Sequence, residues 1–411
     1  MTDKAVKLLR KTGPGIIVAA TGLGAGDIVA AAVAGALFGT VVLWAVLLGA
    51  LLKFCLNEGI ARWQLVTGKT LLEGWIDYLP RVISWYFLVY LLLWSFMVAG
   101  ALMAATGLAA HAIFPGLSVA WWGVIHSLVA VLIVLQGGYR ILENLMKFFI
   151  GLMFVTTLVC AVLVMPPLGE IFSGLLVPVL PANSFAYVLG IIGGVGGSVT
   201  IMSYGYWMRE AGMKERSELP AARVDLAVAY TLTALFGIAI IVVTAGIRPE
   251  VVAGNDMALA VADHLQLVIG DTGKWIFLIG FYGAVFSSMI GVWHGVPYLF
   301  ADFVYHLQKP AESVLDARQS ISKSRAYRLY LVYISLLPML LLALNRPVWV
   351  VVIYAVTGAF FMPLLAALLL HMNSKAIWLG DFRNTWKSKT LLLVCLLLFG
   401  YLLADQVSSL I

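Results

Sequence analysis

The sequence predicts an all-α polytopic membrane protein of eleven spanning helices, arranged as two inverted five-helix repeats plus one extra helix. Three observations predict it: a scarcity of charge, a succession of long apolar runs, and glycine-broken helices at matching positions of the two halves. Of 411 residues, 62% are hydrophobic and only 11% are charged, whereas a water-soluble domain carries about 25% charged residues. Mean hydropathy is +1.00. These values exclude a soluble enzyme and a disordered chain, and three cysteines are too few for a disulfide scaffold. Cys55, Cys160 and Cys395 all sit in apolar stretches and read as small hydrophobes.

A spanning helix needs about 20 apolar residues. Runs of that kind place spans 1 to 11 at 14–38, 41–64, 82–108, 118–136, 141–165, 185–207, 223–246, 273–300, 327–344, 347–371 and 390–410. Lys and Arg collect in cytoplasmic loops. With the N-terminus inside, cytoplasmic segments carry 22 of the 26 basic residues, and the outside receives only Arg248, Lys274 and Arg346. The predicted topology is therefore N-in and C-out, in the cell inner (plasma) membrane. The segment Met1–Thr12 reads as a basic cytoplasmic lead-in, not a secretory signal. The net charge of +6 is thus a topology signal, and no nucleic-acid partner is expected.

Span 1 carries Gly22, Gly24 and Gly26 halfway across, followed by Asp27. Five helices later, Gly193, Gly194, Gly196 and Gly197 precede the polar stretch Ser198–Trp207. Glycine weakens a helix interior by about 1 kcal/mol relative to Ala. Unwound backbone is tolerated in a bilayer only where it lines an enclosed or wet cavity. Interrupted helices in corresponding positions point to a secondary transporter with inverted repeats. The repeats are 14–165 and 185–371, with 390–410 outside both, and the whole chain 1–411 forms one transmembrane domain. Close helix packing through small residues is the alternative explanation for each glycine cluster alone.

Asp27 and Lys53 both fall near the bilayer midplane, where charge is costly and usually pairs or serves function. An Asp27–Lys53 ion pair facing the cavity is expected, with a purely structural bridge between spans 1 and 2 as the alternative. Asn57 lies one turn after Lys53. On span 6, Ser198, Thr200, Met202, Tyr204, Tyr206 and Trp207 follow the break, and on span 8 Ser287, Ser288, Trp293 and His294 interrupt an apolar run. Trp293 also fits an aromatic belt or core packing.

These residues carry a resemblance. From Gly13 to Gly68 the chain is similar, without a gap, to the start of NRAMP (SLC11) family transporters, through Gly13-Pro14, Phe38-Gly39, Leu43-Trp44, Ala61-Arg62 and Val66-Thr67-Gly68. Similarity continues through Thr200-Ile-Met-Ser-Tyr204 and Met362-Pro-Leu-Leu. The resemblance implies a leucine-transporter-type fold and, in most members, proton-coupled transport of divalent metal. The departures are specific. Where the family has Asp-Pro-Gly-Asn, this chain has Gly24-Ala25-Gly26-Asp27, and where it has Met-Pro-His, this chain has Met202-Ser203-Tyr204. Lys53 stands at a position that is apolar in metal-transporting members, and span 3 contains no Asp or Glu where the family's proton route uses acids. The Gly-Ala-Gly-Asp variant resembles a divergent NRAMP-related branch associated with glucose transport.

The expected function is therefore alternating-access transport of a small neutral polar solute such as glucose, as a facilitator. Gly24, Asp27, Lys53, Asn57, Ser198, Thr200, Met202, Tyr204, Tyr206, Trp207 and Trp293 are the candidate solute-binding residues. The alternative is a proton-coupled carrier of Mn²⁺, Fe²⁺ or Mg²⁺, with Asp27 and Met202 as metal ligands. A channel or sensor is a further class, since broken helices also line pores. Enzyme chemistry is not expected, because the six His show no metal-ligand spacing and no nucleophile–base pair is evident. No cofactor is expected, and the partners are the solute and the lipid bilayer.

Overall fold

Helices form along the apolar runs and stop where glycine or proline withdraws support, as seen in a computed structural model that describes residues 13–194, 198–252, 256–308, 318–343 and 361–408. Met1–Thr12, Gly196, Gly197, residues 347–360 of span 10 and the last residues of span 11 lie outside that set. Span 1 is two helices, α1 (Pro14–Gly22) and α2 (Ala25–Phe38). Pro14 starts α1, where its fixed φ suits a first turn. The chain leaves the helix at Leu23 (φ −89°, ψ 68°) and re-enters after an extended Gly24. Gly39, at φ 67°, opens a short 3₁₀ turn into α3 (Leu43–Thr67), which Gly68 closes in the left-handed region at φ 73°.

The short α4 (Leu71–Tyr78) begins at Thr70, whose hydroxyl accepts from Glu73 N at 3.0 Å. Next come α5 (Arg81–Ile113) and α6 (Val119–Leu163). Spans 4 and 5 both lie within α6, and they meet at Gly138 (φ 56°, ψ 170°) with no loop between them. Then follow α7 (Leu168–Leu176) and the broken span 6: α8 (Phe185–Gly194), a 3₁₀ turn over Val199–Ser203, and α9 (Tyr204–Glu210). The rest comprises α10 (Leu219–Ile247), α11 (Asp256–Ile269), α12 (Asp271–Gln308), α13 (Arg325–Leu336), α14 (Met339–Ala343), α15 (Phe361–Met372), α16 (Ala376–Leu379) and α17 (Trp386–Ser408).

Among the described residues, seven helices are long and apolar enough to cross a membrane, or eight if a bent pair at Phe361–Met372 and Ala376–Phe382 is one span. That number is smaller than eleven for two physical reasons. The pieces of broken spans are short when taken singly, and continuous helical stretches merge neighbouring spans: Ala25–Thr67 joins the second half of span 1 to span 2, and Val119–Leu163 joins spans 4 and 5. Helices α4, α7 and α11 were not expected. In α11 the buried Met257, Ala258, Val261, Ala262 and Leu265 make one apolar face, a pattern too short and too one-sided to read as a span.

Helix α12 packs against α5, α6, α11, α13 and α1, while α10 packs against α1, α2 and α3. Small residues permit this closeness: a methyl group on Gly291 of α12 would overlap Thr21 of α1, and one on Gly35 of α2 would overlap Thr244 of α10. The break in span 1 is thereby held in the middle of the protein, between α5, α10 and α12.

Candidate functional site

A helix that stops inside the protein leaves its last carbonyls without donors. At the end of α1 two serines of α12 supply them: Ser287 Oγ donates to Ala20 O at 3.2 Å and Ser288 Oγ to Thr21 O at 2.7 Å. At the start of α2, Gly24 N donates to Asp27 Oδ2 at 2.9 Å, so the carboxylate sits in the first turn, where the helix dipole favours negative charge. Gly24 is where α1, α2 and α12 converge, and a Cβ there would lie 3.1 Å from Ser288 Oγ.

The break opens a small cavity lined by Thr21, Gly22, Gly24, Ala25, Gly26, Asp27, Trp94, Val98, Ala101, Leu102, Ser198, Thr200, Ser288 and Val292. It draws on both broken spans, on α5 and on α12. Four of the predicted residues meet here: Gly24, Asp27, Ser198 and Thr200. Its polar lining is one carboxylate, four hydroxyls and one indole. Thr21 Oγ1, Ser198 Oγ and Trp94 Nε1 are buried and lack a hydrogen-bond partner among the described residues. A second small cavity lies between α2, α3, α8 and α10 and shares Asp27 with the first.

The other predicted residues are placed around this cavity and not in its lining. Lys53 of α3 is fully buried, and its Nζ donates to Gly193 O near the end of α8 at 3.0 Å. Its ammonium and the Asp27 carboxylate attract each other electrostatically. The cation is thus hydrogen-bonded to the second broken span and lies within Coulombic range of Asp27 in the first. Asn57 Nδ2 donates to Tyr230 OH at 3.2 Å. Met202 is buried in the 3₁₀ turn.

Of the predicted aromatic residues, Tyr204, Tyr206 and Trp207 have their polar ends engaged elsewhere, because they lie one to two turns beyond the break in span 6. Tyr204 OH donates to Asp225 Oδ2 at 3.0 Å, Tyr206 OH to Asp302 Oδ2 at 2.6 Å, and Trp207 Nε1 to His294 Nδ1 at 3.0 Å. The Tyr206 ring stacks on Tyr298 with centroids 5.3 Å apart, and Trp293 is fully buried.

Three polar lining residues were not among the candidate binding residues: Thr21, Trp94 and Ser288. Ser288 left a trace, as a polar pair within an apolar run. Trp94 left none, since aromatic residues are 12% of the chain. Also unforeseen is Asp225, whose Oδ1 accepts from Gly13 N at 3.1 Å and whose Oδ2 accepts from Gly15 N at 2.7 Å, clasping the start of α1.

Comparisons with known proteins agree on the architecture. The chain is 29% identical to human natural resistance-associated macrophage protein 1 over 226 residues, which is 54% of this chain and 40% of that protein. It therefore aligns with less than half the length of that relative. The solved manganese transporter of Eremococcus coleocola, in complex with an aromatic bis-isothiourea substituted compound, superposes with a TM-score of 0.80 at 16% identity, covering 100% of this chain and 88% of that one. MhsT in complex with L-phenylalanine superposes at 0.55 with 17% identity, covering 94% of this chain and 97% of that one. These likenesses show the fold, which is of the leucine-transporter type. The profile described as natural resistance-associated macrophage protein-like matches residues 15–405, and the chain belongs to that family.

Proposed function

We propose that this protein is a secondary transporter that moves a small neutral polar solute such as glucose by alternating access, as a facilitator. The observation that carries the reading is the lining of the central cavity: hydroxyls of Thr21, Ser198, Thr200 and Ser288, one indole, and a single carboxylate within Coulombic range of the buried Lys53. Hydroxyl groups donate and accept, which matches a polyhydroxylated molecule. The same departures from the metal motif support placing the chain in a branch of its family that has exchanged cation for neutral solute.

The reading includes the two inverted repeats, 14–165 and 185–371, with 390–410 outside them, and an N-terminus on the cytoplasmic side of the plasma membrane. The distribution of Lys and Arg supports that orientation. Rocking of one helical bundle around the midplane site would supply alternating access. The absence of Asp and Glu from α5 supports facilitation over proton coupling.

A second reading, proton-coupled transport of a divalent cation such as Mn²⁺, Fe²⁺ or Mg²⁺, is favoured by the solved relative named as a manganese transporter. Asp27 offers it one ligand. Against it, Met202 does not line the cavity, and among the described residues no group of three or more His, Cys, Asp or Glu is arranged to hold a metal. A divalent ion beside Asp27 would also be repelled by the buried Lys53 ammonium. Uptake into proteoliposomes separates the two. Saturable entry of labelled D-glucose, undiminished by Mn²⁺ and without acidification of the lumen, is expected. Entry of Mn²⁺ with no entry of glucose or related sugars would overturn the neutral-solute reading.

A further inference from the structure

We propose that Trp94 is a specificity-determining residue of the central cavity, its indole N–H reading an acceptor oxygen on a hydroxylated neutral solute. The proposal rests on the transport reading above and names the group that enforces its substrate class. Trp94 lies on α5, is 1% exposed and lines the cavity. Its Nε1 has no hydrogen-bond partner among the described residues. Buried N–H groups in folded proteins are almost always answered, because leaving one unpaired forfeits its hydration. Indole nitrogens of Trp75 and Trp293 are also without partners, but neither residue lines the cavity.

An indole can only donate and a carboxylate can only accept. Trp94 and Asp27 therefore give the cavity one obligate donor and one obligate acceptor. The same lining holds hydroxyls able to do both, and those of Thr21 and Ser198 likewise have no partner among the described residues. A sugar hydroxyl accepts from the indole while another donates to the carboxylate. A metal ion has no lone pair to offer and leaves the N–H unanswered. The position of α5 is fixed beside the site, since Ser95 Oγ lies 2.7 Å from Tyr330 OH of α13.

The test is uptake of D-glucose and its monodeoxy analogues into proteoliposomes by the wild type and by Trp94→Phe, which keeps an aromatic ring and removes the N–H. The KM for D-glucose is expected to rise about tenfold in the variant, the usual cost of one buried hydrogen bond. One monodeoxy analogue should lose the same factor in the wild type and nothing further in Trp94→Phe. That non-additivity is a signature that a merely structural role would not produce. A second measurement needs no variant: in the wild type, the deoxyfluoro counterpart of that analogue, which retains a weak acceptor, should lose less than the deoxy form. An unchanged KM in Trp94→Phe, or analogues that lose equally in both proteins, overturns the assignment while leaving the transport reading intact. A wild type that moves Mn²⁺ and none of the sugars overturns the transport reading, and the assignment with it.

Discussion

Lys53→Met is expected to destabilise the protein by about 3–5 kcal/mol and to abolish solute transport, because it strands the Asp27 carboxylate in a low-dielectric interior. Lys53 and Asp27 interact electrostatically and Lys53 is fully buried, so the attraction is little screened. The hydrogen bond from Lys53 to Gly193 O is lost as well, which frees the end of α8 where the second break begins. Adding Asp27→Asn to Lys53→Met should recover most of the lost stability, since removing both charges leaves no unbalanced charge. Transport should not return in the double variant, because the amide replaces the obligate acceptor of the cavity. Thermal unfolding of the purified single and double variants checks the first statement, and proteoliposome uptake the second. A single variant as stable as the wild type would show that the two charges do not depend on one another.

Asp225→Ala should cost a similar amount, about 3–6 kcal/mol, for a different reason. Its carboxylate, 1% exposed, accepts from Gly13 N, Gly15 N and Tyr204 OH, and so ties α1 and α9 to α10. Alanine leaves three donors unanswered, at about 1–3 kcal/mol each before relaxation, and removes a negative charge from the positive end of α1. Approach this close needs Gly15, where a Cβ would lie 2.5 Å from Asp225 O. Asp225→Asn, which keeps one acceptor, should fall between wild type and Asp225→Ala in thermal unfolding. Equal stability of all three would remove Asp225 from any role in holding α1.

Much of this architecture was legible because glycine and charge act locally. The clusters around Gly24 and Gly193 marked both broken spans, since helix interiors rarely accommodate such runs without a break. Asp27 was legible because a carboxylate in an apolar run demands a partner. Lys53 was legible for the same reason, yet its anchorage was not: its hydrogen bond is to a backbone carbonyl 140 positions away in the chain. Which aromatic residue faces the cavity was not legible either. Tyr206 and Trp207 follow the break in sequence, but one further turn of helix carries them to Asp302 and His294. Trp94 reaches the cavity from a predominantly apolar helix with several other aromatic residues, and packing against α12 places it there. Asp225 likewise looks like a loop-proximal acid until the fold delivers the start of α1 to it.

What the cavity between the two breaks accepts can be read from equilibrium stabilisation of the purified wild-type protein. A ligand that binds the folded state raises its stability by RT ln(1 + [L]/Kd), about 2.7 kcal/mol at a hundredfold excess over Kd. Titration with D-glucose is expected to raise Tm in a saturable manner, and titration with Mn²⁺ at constant ionic strength to leave it unchanged. A saturable rise with Mn²⁺ and none with glucose or related sugars would contradict a cavity built for a neutral solute.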